Sequence, residues 1–173
     1  RENNLIHKEA DAVKGNRFTS IDQISIMPKT RIIGNLALSF INKLSSGYWE
    51  LFDPTNGFIA FSSKALKAIR LEKVDNRYFF ESDLLFQSSL ANLRYSQIPM
   101  KSIYSNENSS LNPFREIFRF SKLHFINFLK RIVYQYFILD FNIGSLEILG
   151  FLLGIFFSIA YSFYLIYSEI LRD

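Results

Sequence analysis

The sequence predicts an α/β domain followed by a basic amphipathic helix and a transmembrane helix. Three observations carry that reading. Short apolar runs alternate with helix-period segments as far as Asn112. From Pro113 onward, aromatic and basic residues interleave. From Ile148 to Tyr167, 20 consecutive residues carry no formal charge. The expected organisation is therefore an α/β part over 1–112, a basic juxtamembrane helix over 113–139, and a membrane helix over 146–168.

Ala10 to Lys14 reads as a buried strand that ends at Gly15 and feeds a loop. Arg31 to Leu44 places Ile32, Ile33, Leu36, Leu38, Phe40 and Ile41 at helical spacing. Pro28 precedes that helix, and Ser45-Ser46-Gly47 closes it. Gly57 to Phe61 reads as a strand leaving the turn Asp53-Pro54-Thr55-Asn56. Ser62 or Ser63 can cap a short helix through Ile69. A further helix is expected from Glu81 to Leu93, with Glu81 and Asp83 suiting the positive end of its dipole. Tyr95 to Tyr104, with Pro99 inside it, reads as an extended edge segment, and Ser105 to Asn112 as a loop.

In the 113–139 region, Phe114, Ile117, Phe118, Leu123, Phe125 and Leu129 alternate with Arg115, Arg119, Lys122, Lys130 and Arg131. A helix of that pattern suits the headgroup layer, its basic groups reaching phosphates and its aromatics entering the acyl boundary. The alternative is an amphipathic helix packed on a soluble core. Asp140, Asn142 and Gly144 mark a turn before the apolar run. A 20-residue helix spans roughly 30 Å, the hydrocarbon thickness of a bilayer. Tyr161, Tyr164 and Tyr167 sit near its end as an interfacial belt would. The five Lys or Arg upstream place the soluble domain on the cytoplasmic side of a membrane.

Composition excludes several chemistries. The chain of 173 residues has no cysteine, which removes disulfides, thiolate metal sites and thiol nucleophiles. His7 and His124 fit no metal-ligand spacing and are expected to be surface or interface residues. The net charge of +4 is modest, and no nucleic-acid partner is expected. Arg1 in place of Met, with an end just past an apolar run, reads as a partial chain; no signal peptide is visible.

Two segments carry candidate chemistry. Asp11-Ala-Val-Lys-Gly-Asn-Arg-Phe18 is a strand followed by a basic loop. Ligands of open α/β sheets gather at carboxyl ends of strands, and arginine grips phosphate bidentately. A plain surface arginine is the other reading. Phe79-Phe-Glu-Ser-Asp83 brings two acids to a helix start, where a carboxylate can act as base, orient an acceptor or pair with a cation. Simple helix capping is the alternative.

The order of segments is distinctive. Asp11–Phe18 comes first, then the basic helix start at Arg31, then Gly47-Tyr-Trp-Glu-Leu-Phe-Asp-Pro-Thr-Asn-Gly-Phe58. Phe80-Glu-Ser-Asp-Leu-Leu85, Ile98-Pro-Met100 and Asn108-Ser-Ser110 follow, before the basic helix and the membrane span. Over nearly its whole length the chain resembles the C-terminal part of a family-2 glycosyltransferase of GT-A (Rossmann-like) fold. The resemblance is to the branch of dolichyl-phosphate mannose synthase and bacterial polyprenyl-phosphate glycosyltransferases.

That resemblance implies roles. Arg17 and Arg31 match arginines that bind the acceptor's phosphate, and Asp83 matches the acidic position beneath the sugar-transfer centre, usually called the catalytic base, with Glu81 beside it. Asp53, Asn56 and Gly57 match the loop lining the acceptor side. The implied reaction moves a sugar, with inversion, from a nucleotide-sugar donor to a polyprenyl phosphate. Mg²⁺ or Mn²⁺ would be bound mainly by an N-terminal half that this chain lacks, so no metal ligand is expected here and the fragment alone is expected to be inactive. Membrane lipids are further partners, and a homo-oligomer is among the states allowed. Lys101-Ser-Ile-Tyr104 departs from relatives that carry Arg and Gly there. A lipid phosphate is largely dianionic at neutral pH, its second pKa being about 6, and needs little help from a base. A hydroxyl acceptor, on a lipid or a growing saccharide, would need one. A non-catalytic membrane adaptor is the reading from another class.

Overall fold

Ala12–Asn16 forms β1, the central strand of a three-stranded sheet ordered β2-β1-β3. β2, Ile59–Phe61, pairs with it antiparallel, and β3, Tyr95–Pro99, pairs parallel. The computed structural model describes residues 10–19, 24, 27, 29–101 and 113–171, less the side chains of 30, 31 and 113–115. These group into two compact units, Arg1–Arg131 and Ile132–Asp173. His7 and the expected loop Ser105–Asn112 lie outside the described residues.

β1 begins and ends two residues later than its sequence suggests. Gly15 is not where the chain turns; it pairs with Ile98, and its N–H donates to the Phe58 carbonyl at 2.9 Å. What position 15 requires is the absence of a side chain. A Cβ there would come within 2.9 Å of Asn56 Nδ2 and closer still to Met100 Sδ. The turn comes at Arg17 and Phe18, where the Phe18 N–H donates to Asn16 Oδ1 at 2.8 Å.

Helix α1, Lys29–Ser46, follows β1. It ends at Gly47, whose φ of +83° is costly for any residue with a Cβ, and whose N–H returns to the Lys43 carbonyl at 2.8 Å. α2, Ser63–Ala68, is capped by Ser62, whose hydroxyl accepts from the Ala65 N–H at 3.1 Å. A 3₁₀ turn, Leu71–Lys73, leads to α3, Phe80–Leu90. α3 stops three residues short of the expected Leu93 because Asn92 takes a left-handed φ of 53°. Ala65, Ile69, Leu84 and Leu93 form a core beneath the sheet, flanked by Ile59, Phe61, Val74 and Ala91.

α4, Pro113–Val133, buries a polar side. His124 and Asn127 are among its buried residues, whereas Ile117, Phe118, Phe125 and Leu129 are exposed. His124 is thus a core residue rather than a surface one. Its ring packs edge-on against Phe79 with centroids 4.7 Å apart, and Nδ1 lies 2.8 Å from Ser45 Oγ. Arg131 closes the α1–α4 contact, donating from Nε to the Leu44 carbonyl at 3.1 Å. There it supplies a partner to one of the orphan carbonyls at the C-terminus of α1.

In the second unit a π-helical segment, Tyr134–Leu139, precedes α5, Ile143–Ile170. Asn142 caps α5 with a full capping box: its side chain accepts from the helix start, and its own N–H donates to Ser145 Oγ at 3.0 Å. The turn expected around Asp140–Gly144 is this cap. With 28 residues α5 is about 42 Å long. It is the one helix among the described residues long and apolar enough to cross a membrane, and only 6% of its most apolar stretch is buried.

Candidate functional site

The carboxyl end of β1 meets the loop that follows α1. Arg17 and Asp53 form a two-point fork there: Nε donates to Oδ2 and Nη2 to Oδ1, each at 2.7 Å. The Arg17 backbone N–H also donates to Asp53 Oδ2 at 3.1 Å, and Nη2 reaches Thr55 Oγ1 at 3.3 Å. Asp53 is 1% exposed while the Arg17 side chain keeps 20% of its surface. The Arg17 side chain is therefore held by a buried carboxylate and keeps part of its surface exposed, an arrangement that suits an anchored anion-binding group.

Asn56 fastens the same loop to β1. Its amide donates to the Gly15 carbonyl at 2.9 Å, and its Oδ1 accepts from the Phe58 N–H at 3.0 Å. Its own carbonyl accepts from Lys14 Nζ. Lys14 is 1% exposed, and burial brings its pKa down to about 8; Asp53 and Glu81 oppose that shift and Arg17 adds to it. Gly57 lies beside Glu81, since a Cβ built on Gly57 would sit 3.5 Å from Glu81 Oε1. On the other side, Gln97 of β3 accepts from Asn16 Nδ2 at 3.0 Å and from the Phe52 N–H at 3.2 Å, and donates to the Glu50 carbonyl at 2.8 Å.

Five of the sequence-predicted residues thus gather: Arg17, Asp53, Asn56, Gly57 and Glu81. Asp83 stands elsewhere. Two positions along a helix are about 200° of rotation, so Asp83 leaves the opposite side of α3 from Glu81. It accepts from Asn127 Nδ2 of α4 at 2.9 Å and from the Asp75 N–H at 2.9 Å. Asp75 in turn pairs with Arg119 of α4. Asp83 opens onto a cleft of about 470 Å³, whose walls include Lys73, Gln87, Asn127 and Lys130. Arg31 lies in the first turns of α1, and its side chain is outside the described residues.

Lys14, Gln97 and Asn127 are the participants that sequence reasoning missed. Lys14 carried a signal, being a lone lysine inside a short buried strand. Gln97 and Asn127 carried none, because their roles depend on β1–β3 register and on which side of α4 faces inward.

Two of the acids already have partners within the protein. Asp53 is engaged by Arg17 and Asp83 by Asn127 and Asp75. No group of three His, Asp or Glu converges among the described residues.

No family model and no solved structure matches the chain. Curated relatives do. The chain is 34% identical over 101 residues to the UDP-N-acetylglucosamine--dolichyl-phosphate N-acetylglucosaminyltransferase of Methanococcus voltae, covering 58% of this chain and 40% of that protein. It is 31% identical over 100 residues to an uncharacterized protein of Methanocaldococcus jannaschii, covering 58% and 41%. It is 29% identical over 92 residues to glycosyltransferase AglD of Haloferax volcanii, covering 53% and 14%. The chain thus spans less than half the length of each. At low identity and over about half of this chain, the two named relatives support a glycosyltransferase family.

Proposed function

We propose that this chain is the acceptor-side part of a membrane-anchored, inverting glycosyltransferase of the family-2, GT-A type. The full protein would move a sugar from a nucleotide-diphosphate donor to a polyprenyl phosphate at the cytoplasmic membrane face. The observation that carries the reading is the Arg17–Asp53 fork at the carboxyl end of β1. The relative named as acting on dolichyl phosphate agrees with it.

In this mechanism an oxygen of the acceptor phosphate attacks the sugar's anomeric carbon as the bond to the donor diphosphate breaks. Arg17, held by Asp53, orients the phosphate and offsets its charge. No base is needed, because a phosphate monoester is largely dianionic at neutral pH, its second pKa being about 6. Asp83 fits that chemistry: both its oxygens accept from protein groups, and it joins α3 to α4. The donor half, with its Mg²⁺ or Mn²⁺, is proposed to reside in sequence outside this chain, whose match covers only 40% of the Methanococcus voltae relative. α5 supplies the anchor, and Arg119, Lys122, Lys130 and Arg131 on α4 favour the cytoplasmic side.

The test is product analysis. Membranes containing the full-length protein, polyprenyl phosphate and Mg²⁺ or Mn²⁺ are given a panel of radiolabelled nucleotide sugars. Label should enter the lipid phase and be released by mild acid, as a glycosyl phosphate is. Acid-stable lipid label would move the acceptor to a hydroxyl. No label from any donor, with folded and abundant protein, would contradict enzymatic transfer and favour an adaptor.

A further inference from the structure

Lys14 has no place in the chemistry above, yet it is the most deeply placed cation of the site. It lies on the central strand, 1% exposed, between partners Ile59 and Gln97 on the neighbouring strands. A lysine is almost never fully buried unless paired. Here the ammonium donates to the Asn56 carbonyl, and its charged neighbours are Asp53, Glu81 and Arg17.

Two consequences follow from that position. The first is mechanical. Lys14 and Gly15 fix Asn56 through its carbonyl and its side-chain amide, while Arg17 fixes Asp53. Two residues of β1 and the turn residue just after it therefore hold both ends of the Asp53–Asn56 turn. The second is electrostatic. Lys14 and Arg17 together balance the carboxylates of Asp53 and Glu81. Without the Lys14 charge the cluster carries a net negative charge, which repels an incoming anion.

We propose that Lys14 is a positioning residue of the Arg17 site, a buried ammonium that fixes the Asp53–Asn56 loop and neutralises Asp53 and Glu81 so that a phosphate monoester can be held at Arg17. The proposal rests on the reading of the acceptor as a lipid phosphate. It makes Lys14 act through the loop and the local field, with no contact to the transferred sugar.

The test uses the full-length protein in membranes, with polyprenyl phosphate as the varied substrate and then the nucleotide sugar. Lys14→Met keeps the length and removes the charge. It should raise the acceptor KM by roughly tenfold at pH 7, the effect of one nearby charge, and change the donor KM less than about twofold. Lys14→Arg should keep the acceptor KM closer to wild type. In the wild type the acceptor KM should climb between pH 7 and 9 as the ammonium, with its pKa near about 8, loses its proton. That climb should vanish in Lys14→Met. A folded Lys14→Met protein with wild-type acceptor KM overturns the proposal while leaving the acceptor reading in place. A wild type that transfers sugar without any need for polyprenyl phosphate overturns both. Lys14→Gln, a second neutral variant with a polar end, takes the place of Lys14→Met if that protein does not fold, and a wild-type acceptor KM in it overturns the proposal equally.

Discussion

Arg17 and Asp53, 36 residues apart, meet in a planar fork with both contacts at 2.7 Å. The carboxylate is buried, and the Arg17 side chain keeps part of its surface exposed. The pair therefore orients a cation toward solvent rather than cancelling it in the interior. Asp53→Asn keeps the shape and removes the charge that holds Arg17. Breaking a buried pair from one side costs about 3–5 kcal/mol, and water reaching Arg17 reduces this toward about 2 kcal/mol. Thermal unfolding of the full-length protein in detergent should show the drop, and acceptor affinity should fall with it. An unchanged Tm would mean the fork contributes no stability.

Asp83 and Asn127 make a second link, between α3 and α4. If that bond sets the packing of α4, each of Asp83→Asn and Asn127→Asp should destabilise by about 1–3 kcal/mol, the cost of mismatched buried polar groups. The double exchange, with donor and acceptor swapped, should recover part of the loss in a double-mutant cycle. Additive losses would show that the two side chains do not act through each other.

His124 should make the protein acid-sensitive. Burial holds its pKa down to about 4, and Nε2 has no hydrogen-bond partner among the described residues. The native state keeps the ring neutral, while the unfolded chain takes up a proton near its ordinary value of about 6.5. Stability should thus be full above pH 6.5 and fall as the pH drops toward 4, by on the order of 2–3 kcal/mol. Unfolding measured from pH 7.5 to 4.5 should show this slope, and His124→Gln should flatten it. Equal slopes in both proteins would assign the acid sensitivity to other groups.

Much of this fold is legible in the sequence because local chemistry dictates it. Ser62 caps α2 and Gly47 ends α1, each for backbone reasons that act within a few residues. The 20 uncharged residues from Ile148 find α5 by composition alone. The place of Arg17 just past the end of β1 is legible because a strand end followed by a basic loop is a local pattern. What local pattern hides is facing. Glu81 and Asp83 are adjacent acids in the chain, yet helical rotation sends them to different sides of α3. His124 lies among aromatics and lysines that suggest a surface, but α4 turns its polar side inward against Ser45 and Asp83. Gln97 joins the site only through the β1–β3 register, which no short window contains.

The central claim is that Arg17 holds the acceptor's phosphate. Its most direct test is the steady-state kinetics of Arg17→Ala in the full-length protein, with polyprenyl phosphate and nucleotide sugar varied in turn. Losing one charge-assisted bidentate contact, worth about 1.5–3 kcal/mol, should raise the acceptor KM by about 10- to 150-fold. The donor KM should stay within about threefold, since donor binding has no call on this contact. An equal rise in both constants, or a change confined to the donor, would contradict the claim.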